Sequence, residues 1–146
     1  MKRICVFCGS NLGENGTFRL AAKELAKVLV EHNFTLVFGG GRLGLMGEIA
    51  DQVLQLKGKV IGVIPKALVE KERAHLGIPD LRIVDSMHER KALMSELADG
   101  FIAMPGGIGT LEEFFEVWTW AQIGLHKKPC AILHPLLRDK MGMNIL

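Results

Sequence analysis

An α/β sandwich of three layers, doubly wound around a mostly parallel sheet of about six strands, is the fold class that this chain predicts. Three observations carry that prediction. Short apolar runs without polar alternation recur along the chain, as expected of strands buried on both faces of a parallel sheet. Stretches with apolar residues at helical spacing follow most of them. Glycine clusters sit where a run gives way to a helix. With 146 residues, the chain is one domain that buries about two thirds of its unfolded surface. Its 17 glycines exceed the average share and gather in loops.

The first run, Arg3-Ile4-Cys5-Val6-Phe7-Cys8, is a strand that ends at Gly9-Ser10-Asn11. Open α/β sheets bind ligands at the carboxyl ends of their strands, so Gly9 and Ser10 are candidate ligand contacts. Phe18, Ala21, Ala22, Leu25, Val28 and Leu29 then recur at helical spacing, with Arg19, Lys23, Glu24 and Lys27 on the other side, which predicts a surface helix.

Thr35-Leu36-Val37-Phe38 is the second strand, and it runs into Gly39-Gly40-Gly41-Arg42-Leu43-Gly44-Leu45-Met46-Gly47. Gly39, Gly41 and Gly44 satisfy the G-x-G-x-x-G pattern in its required place between strand and helix. The acidic residue that a dinucleotide site needs about twenty positions later is replaced by Val63-Ile64-Pro65, which argues against NAD. Contact with a nucleotide's phosphate or ribose by Gly40 and Gly41 stays open, and so does plain tight packing of helix on strand. Met46, Ile49, Ala50, Val53 and Leu56 make the next helical stripe, with Gly58 expected as its C-terminal cap.

The run from Val60 to Ile64 is the third strand, stopped by Pro65. The charged stretch 66–80, with room for a short helix, is expected to be a mobile flap over the ligand end of the sheet, with His75 on its solvated surface. Leu81-Arg82-Ile83-Val84 is the fourth strand, and Ser86-x-x-Glu89 is a capping box opening a helix over 87–98. In that helix Met87, Arg90, Met94 and Leu97 share a stripe, so Arg90 sits among apolar neighbours and must snorkel or find an anion. A structural ion pair is the alternative. Lys91 beside it is freer to reach solvent or phosphate.

Phe101-Ile102-Ala103-Met104 is the fifth strand, and it leads to Pro105-Gly106-Gly107-Ile108-Gly109-Thr110-Leu111-Glu112-Glu113. Bare backbone at a strand-to-helix turn brings N–H groups close to a ligand, and the helix adds roughly half a positive charge at its N-terminus. That predicts an anion site suited to phosphate, with Thr110 adding a hydroxyl. Glu113 lies one turn further on. Thr110-x-x-Glu113 also reads as a capping box, so cap and catalyst both stay open for Glu113. The helix over 110–125 is apolar almost all round, with Leu111, Phe114, Phe115, Trp118, Ala121 and Leu125 on one face and Val117, Trp120 and Ile123 on another. One face serves the core, and the other predicts a homodimer interface. A last strand covers the run from Cys130 to Leu133.

Composition narrows the function further. The net charge is +2, with basic residues scattered among acidic ones, which disfavours an extended nucleic-acid surface and suits a small anionic ligand. Three cysteines without framework spacing point to a reducing, cytoplasmic setting. Cys5 and Cys8 form C-x-x-C within a strand, where their odd separation sends them to opposite faces, so no metal or redox cofactor is expected. Neither a membrane-spanning run nor a leader is read in the sequence.

These motifs together resemble the LONELY GUY (LOG) family of phosphoribohydrolases, whose members have also been labelled lysine decarboxylases. The resemblance runs through Val6-Phe7-Cys8-Gly9-Ser10, the glycine loop from Gly39 to Gly47, Ser86-Met87-His88-Glu89-Arg90-Lys91 and the segment from Pro105 to Glu113. It implies a Rossmann-like fold and hydrolysis of AMP or an N6-modified (cytokinin) AMP to the free base and ribose 5-phosphate, without a cofactor. It also implies that Arg90 and Glu113 are the catalytic pair and that Pro105, Gly106, Gly107, Gly109 and Thr110 hold the phosphate. Gly9, Ser10, Gly40, Gly41, Met87 and Lys91 complete the expected substrate contacts, in a dimer whose sites lie near the interface. The family continues past the last strand through further helices. The stretch after Leu133 does not resemble that region, so the expectation is a single domain over 1–146 lacking those helices. The rival reading is a non-catalytic carrier of a nucleotide or a molybdopterin-type cofactor that uses the same glycine loops.

Overall fold

The structure is a computed structural model that describes residues 1–9 and 16–134. One sheet organises it. The strands are β1 (Arg3–Phe7), β2 (Thr35–Phe38), β3 (Val60–Pro65), β4 (Asp80–Val84), β5 (Gly100–Ala103) and β6 (Cys130–Ile132). They lie in the order β4-β3-β2-β1-β5-β6, and every pairing is parallel. The helices are α1 (Thr17–Glu31), α2 (Gly44–Gln55), α3 (Met87–Leu97) and α4 (Ile108–Gln122). This is the doubly wound sandwich that the alternating runs predicted, with a sheet that is parallel throughout.

The strand side chains alternate between two cores. Val6, Leu36 and Phe38 face α1 and α2, where they meet Ala22, Leu25, Ile49 and Val53. Cys5, Phe7, Val37 and Val63 face α3 and α4 and meet Met94, Phe114 and Val117. Both faces of the central strands are therefore buried, which is why their sequences show no polar alternation. Cys5 and Cys8 fall in opposite cores, as their spacing requires.

Several local expectations need correction. Helix α2 ends at Gln55 with Leu56 as its C-cap, and the left-handed position after the cap is taken by Lys57 (φ 62°) instead of Gly58. Gly58 closes the turn with its N–H on the carbonyl of Val53 at 2.8 Å, and a side chain there would press on Val30 and Val53. Stretch 66–80 is no loose flap. It starts with a short 3-10 helix, Lys66–Leu68, and is stapled to the glycine loop after β2: Arg42 donates its N–H to the carbonyls of Glu72 and Arg73, and His75 donates its own to Gly40. His75 is only 6% exposed, and its ring binds the Asp51 carboxylate on α2. A charged sequence was read as solvated, whereas its backbone groups find partners on the neighbouring loop.

Helix α4 also splits differently. Phe114 and Val117 point into the core, whereas Leu111 and Phe115 are about half exposed and Ile108 is 87% exposed. Residues three or four apart share a face, so Ile108, Leu111 and Phe115 form one outward apolar stripe, bordered by the partly buried Trp118. Phe114 lies at the edge of that stripe and turns into the core.

Candidate active site

The chain winds outward from β1 through β2, β3 and β4, then returns to place β5 on the other flank of β1. The carboxyl ends of β1 and β5 therefore form the crevice where open sheets bind ligands. Two loops meet there. Gly9 donates its N–H to the carbonyl of Pro105 at 3.1 Å, and a side chain on Gly106 would collide with the Thr110 hydroxyl and approach the N of Gly9 to 2.8 Å. Gly106 is therefore a packing requirement. Gly107 and Gly109 have open space where a side chain would stand, which leaves the backbone at the start of α4 accessible.

The cavity at this crevice is lined by Val6, Phe7, Cys8, Gly9, Gly39, Met46, Glu72, Arg90, Gly107, Gly109, Thr110 and Glu113. Helix α4 begins at Ile108 with Gly107 as its N-cap, three residues earlier than the capping-box reading needs. Thr110 is thus inside the first turn, and among the described residues nothing donates a hydrogen bond or forms an ion pair with Glu113. The carboxylate looks into the cavity. The capping box that does form is the one at α3, where Ser86 accepts from the N–H of Glu89 and the Glu89 carboxylate accepts from that of Asp85.

Burial pushes the Glu113 carboxyl up to about 7. The Arg90 charge opposes that rise, Glu72 and Glu112 add to it, and Lys91 opposes it. Arg90 is 3% exposed, as the stripe on α3 implied, and its guanidinium is held from three sides. Nε donates to the carbonyl of Val63 at 3.0 Å, and Nη2 donates to the carbonyl of Gly39 at 2.5 Å and to Glu72 Oε2 at 3.1 Å. Cys8 borders the same cavity as a buried thiol whose pKa is raised to about 12 by burial, with Glu113 and Glu72 adding to it, so it stays protonated.

Of the residues expected from sequence, the cavity wall brings together Gly9, Arg90, Gly107, Gly109, Thr110 and Glu113. Pro105 and Gly106 stand just beyond, in an adjoining apolar cleft that also includes Phe18, Leu111 and Leu133. Gly40 (φ 74°) packs against Ile64 and Leu81, and Gly41 packs against Glu72, so both serve the close approach of neighbouring chain. Met87 is 39% exposed, with its sulfur 3.9 Å from Arg90 Nη1. The Lys91 ammonium is clamped by Glu112 at 2.7 Å and Glu116 at 2.8 Å, which ties α3 to α4. Ser10 lies outside the described residues. Sequence reasoning missed Glu72, since nothing separates it from Glu70 in a charged loop until the loop's path is known.

The family model described as "possible lysine decarboxylase" matches residues 46–136. A cytokinin riboside 5′-monophosphate phosphoribohydrolase of Rhodococcoides fascians is 47% identical over 134 residues, covering 91% of this chain and 68% of that protein. The chain belongs to the LOG family. The rice enzyme LOG is 52% identical over 133 residues, 91% of this chain and 55% of its own length. Arabidopsis LOG1 is 50% identical over 133 residues, 91% and 62% respectively. The chain thus spans less than two thirds of these plant relatives. Among solved structures, the Moco carrier protein from Chlamydomonas reinhardtii superposes with a TM-score of 0.73 at 20% identity, covering 97% of this chain and 85% of that one. The molybdenum cofactor binding protein of Rippkaea orientalis gives 0.70 at 21%, covering 97% and 83%. At that identity the likeness concerns the fold alone.

Proposed function

We propose that this cavity takes a nucleoside 5′-monophosphate, AMP or an N6-modified AMP, and hydrolyses its N-glycosidic bond to the free base and ribose 5-phosphate. The observation that carries the reading is Glu113, a carboxylate without a hydrogen-bond or ion-pair partner among the described residues, which shares one cavity with a bare helix N-terminus and a buried arginine. The family's named activity supports it.

The phosphate sits on the first-turn N–H groups of α4, which lack partners within the helix, with the Thr110 hydroxyl beside them. Glu113 is one turn deeper, where the sugar would follow. Breaking the glycosidic bond builds positive charge on the ribose, and an ionised Glu113 stabilises that charge and activates the attacking water. A carboxyl that titrates near 7 suits a base working at neutral pH. Arg90 cannot protonate the departing base, since a guanidinium keeps its protons. Its role is to hold the nucleotide and set the field around Glu113. The cavity measures about 160 Å³, less than a whole nucleotide fills, so the base extends past Arg90 toward the half-exposed Met87.

We further infer a homodimer through the outward stripe of α4, because Ile108, Leu111 and Phe115 are too apolar to be left in water as one patch. Three free, buried cysteines fit a cytoplasmic setting. The deciding experiment incubates the protein with AMP, N6-isopentenyl AMP and the corresponding nucleosides, and measures the free base. Release from the monophosphates alone is expected. Tight binding of the nucleotide with no base released would make the protein a carrier instead.

A further inference from the structure

We propose that Glu72 is a positioning residue for this hydrolysis: it takes the outer edge of the Arg90 guanidinium and so keeps Arg90 from pairing directly with Glu113. The proposal rests on the glycosidase reading above.

Arg90 needs a counter-charge because it is almost wholly buried, and two of its three strong contacts are to neutral carbonyls. Glu113 shares its cavity yet makes no ion pair with it. Among the described residues the carboxylate that does meet Arg90 is Glu72, at 3.1 Å, with its side chain 21% exposed. The fold places it there deliberately. Glu72 donates its N–H to the carbonyl of Leu68, its own carbonyl accepts from the N–H of Arg42, and Gly41 leaves room for its Cβ and carbonyl at about 3.1 Å. A side chain on Gly41 would push this carboxylate away from Arg90.

The consequence is a division of labour between two acids. Glu72 neutralises the arginine, and Glu113 stays free to face sugar and water. Without Glu72, Arg90 turns to Glu113, the carboxylate that shares its cavity, and locks it in a salt bridge. The charged groups acting on Glu113 are Arg90 and Lys91 from α3, Glu112 from α4 itself and Glu72 from the loop. Loss of Glu72 removes a negative neighbour, so Glu113 then ionises at lower pH.

The test compares Glu72→Gln, which keeps an acceptor for Nη2 but no charge, with Glu72→Ala. Turnover of AMP is expected to fall about tenfold or more in Glu72→Ala and less in Glu72→Gln, as a loss in kcat more than a rise in KM. In both variants the Glu113 carboxyl, followed by carbon-detected NMR titration, moves to lower pH. A Glu72 that acts only as a nearby charge would shift the titration equally in both variants, whereas one that also holds Arg90 shifts it further in Glu72→Ala. Equal titration shifts in the two variants together with unchanged kcat in folded Glu72→Gln overturn the proposal. Wild-type protein that releases no base overturns the glycosidase reading separately, and the titration still decides whether Glu72 governs Glu113.

Discussion

The Arg90 guanidinium stands in the space that any side chain on Gly39 would need, and it donates to the carbonyl of that same residue at 2.5 Å. Gly39 has no left-handed backbone angle that would demand glycine, so its small size is what the site uses. Gly39→Ala should therefore fold while moving Nη2 out of place. A displacement of about 1 Å at such a group costs on the order of 100-fold in turnover. The expected cost in stability is about 1–3 kcal/mol, as for overpacking elsewhere. Steady-state kinetics beside a thermal melt separate the two effects.

Glu113 carries the second prediction. Glu113→Gln should bind AMP within a few-fold of wild type and lose about 10²- to 10⁴-fold in turnover. In the wild-type protein kcat/KM for the proposed reaction should rise with pH through about 7, as the carboxyl ionises. Stability runs the other way. A carboxyl raised from 4.5 to about 7 by folding is harder to ionise in the native state, so its contribution to stability falls as pH climbs from 4.5 to 7 and stays low above that. Glu113→Gln should be the more stable protein at pH 8, by on the order of 2 kcal/mol, and the gap should close near pH 4. Urea melts at the two pH values check it.

The glycines of the anion loop should divide into two classes. A methyl on Gly106 collides with Thr110 and crowds Gly9, so Gly106→Ala should weaken both nucleotide binding and stability. Gly109 lies inside the first turn of α4 with open space around it, and alanine there gains up to about 1 kcal/mol of helix propensity. Gly109→Ala should melt higher than wild type yet raise KM for the nucleotide, because the methyl enters the cavity border. Equal losses in both variants would contradict the packing argument.

The outward stripe of α4 makes the last prediction. Phe115→Glu places a charge at the middle of the apolar patch and should convert a dimer to monomer in sedimentation or light scattering. Trp120→Glu, on the other flank of the helix, does not interrupt that stripe. A wild-type protein that is monomeric at tens of micromolar would remove the interface proposal.

Much of this was legible in the sequence because parallel strands buried on both faces leave apolar runs that little else produces. Arg90 could be placed under the site from its stripe with Met94, and Glu113 from its distance to the glycine loop. What escaped depended on contacts between segments far apart. Glu72 and His75 sit in a charged stretch whose composition says surface, yet the stretch is pinned to residues 40–42 and 51. Local pattern also suggested a cap at Thr110, because an S/T-x-x-E spacing cannot reveal that the helix has already begun at Ile108. Phe114 and Phe115 are adjacent and equally apolar, and only the sheet decides which of them turns inward.

The strand order divides the sheet into two wings, β4 to β1 on one side and β5 with β6 on the other, joined along a single seam between β1 and β5. Gly9 and Pro105 meet at the end of that seam, where the anion would rest. A bound nucleotide would then act as a bolt across it. Its stabilising effect should grow with the logarithm of ligand concentration and concentrate in amide protection along β1 and β5, leaving the outer strands β4 and β6 nearly as exchangeable as before.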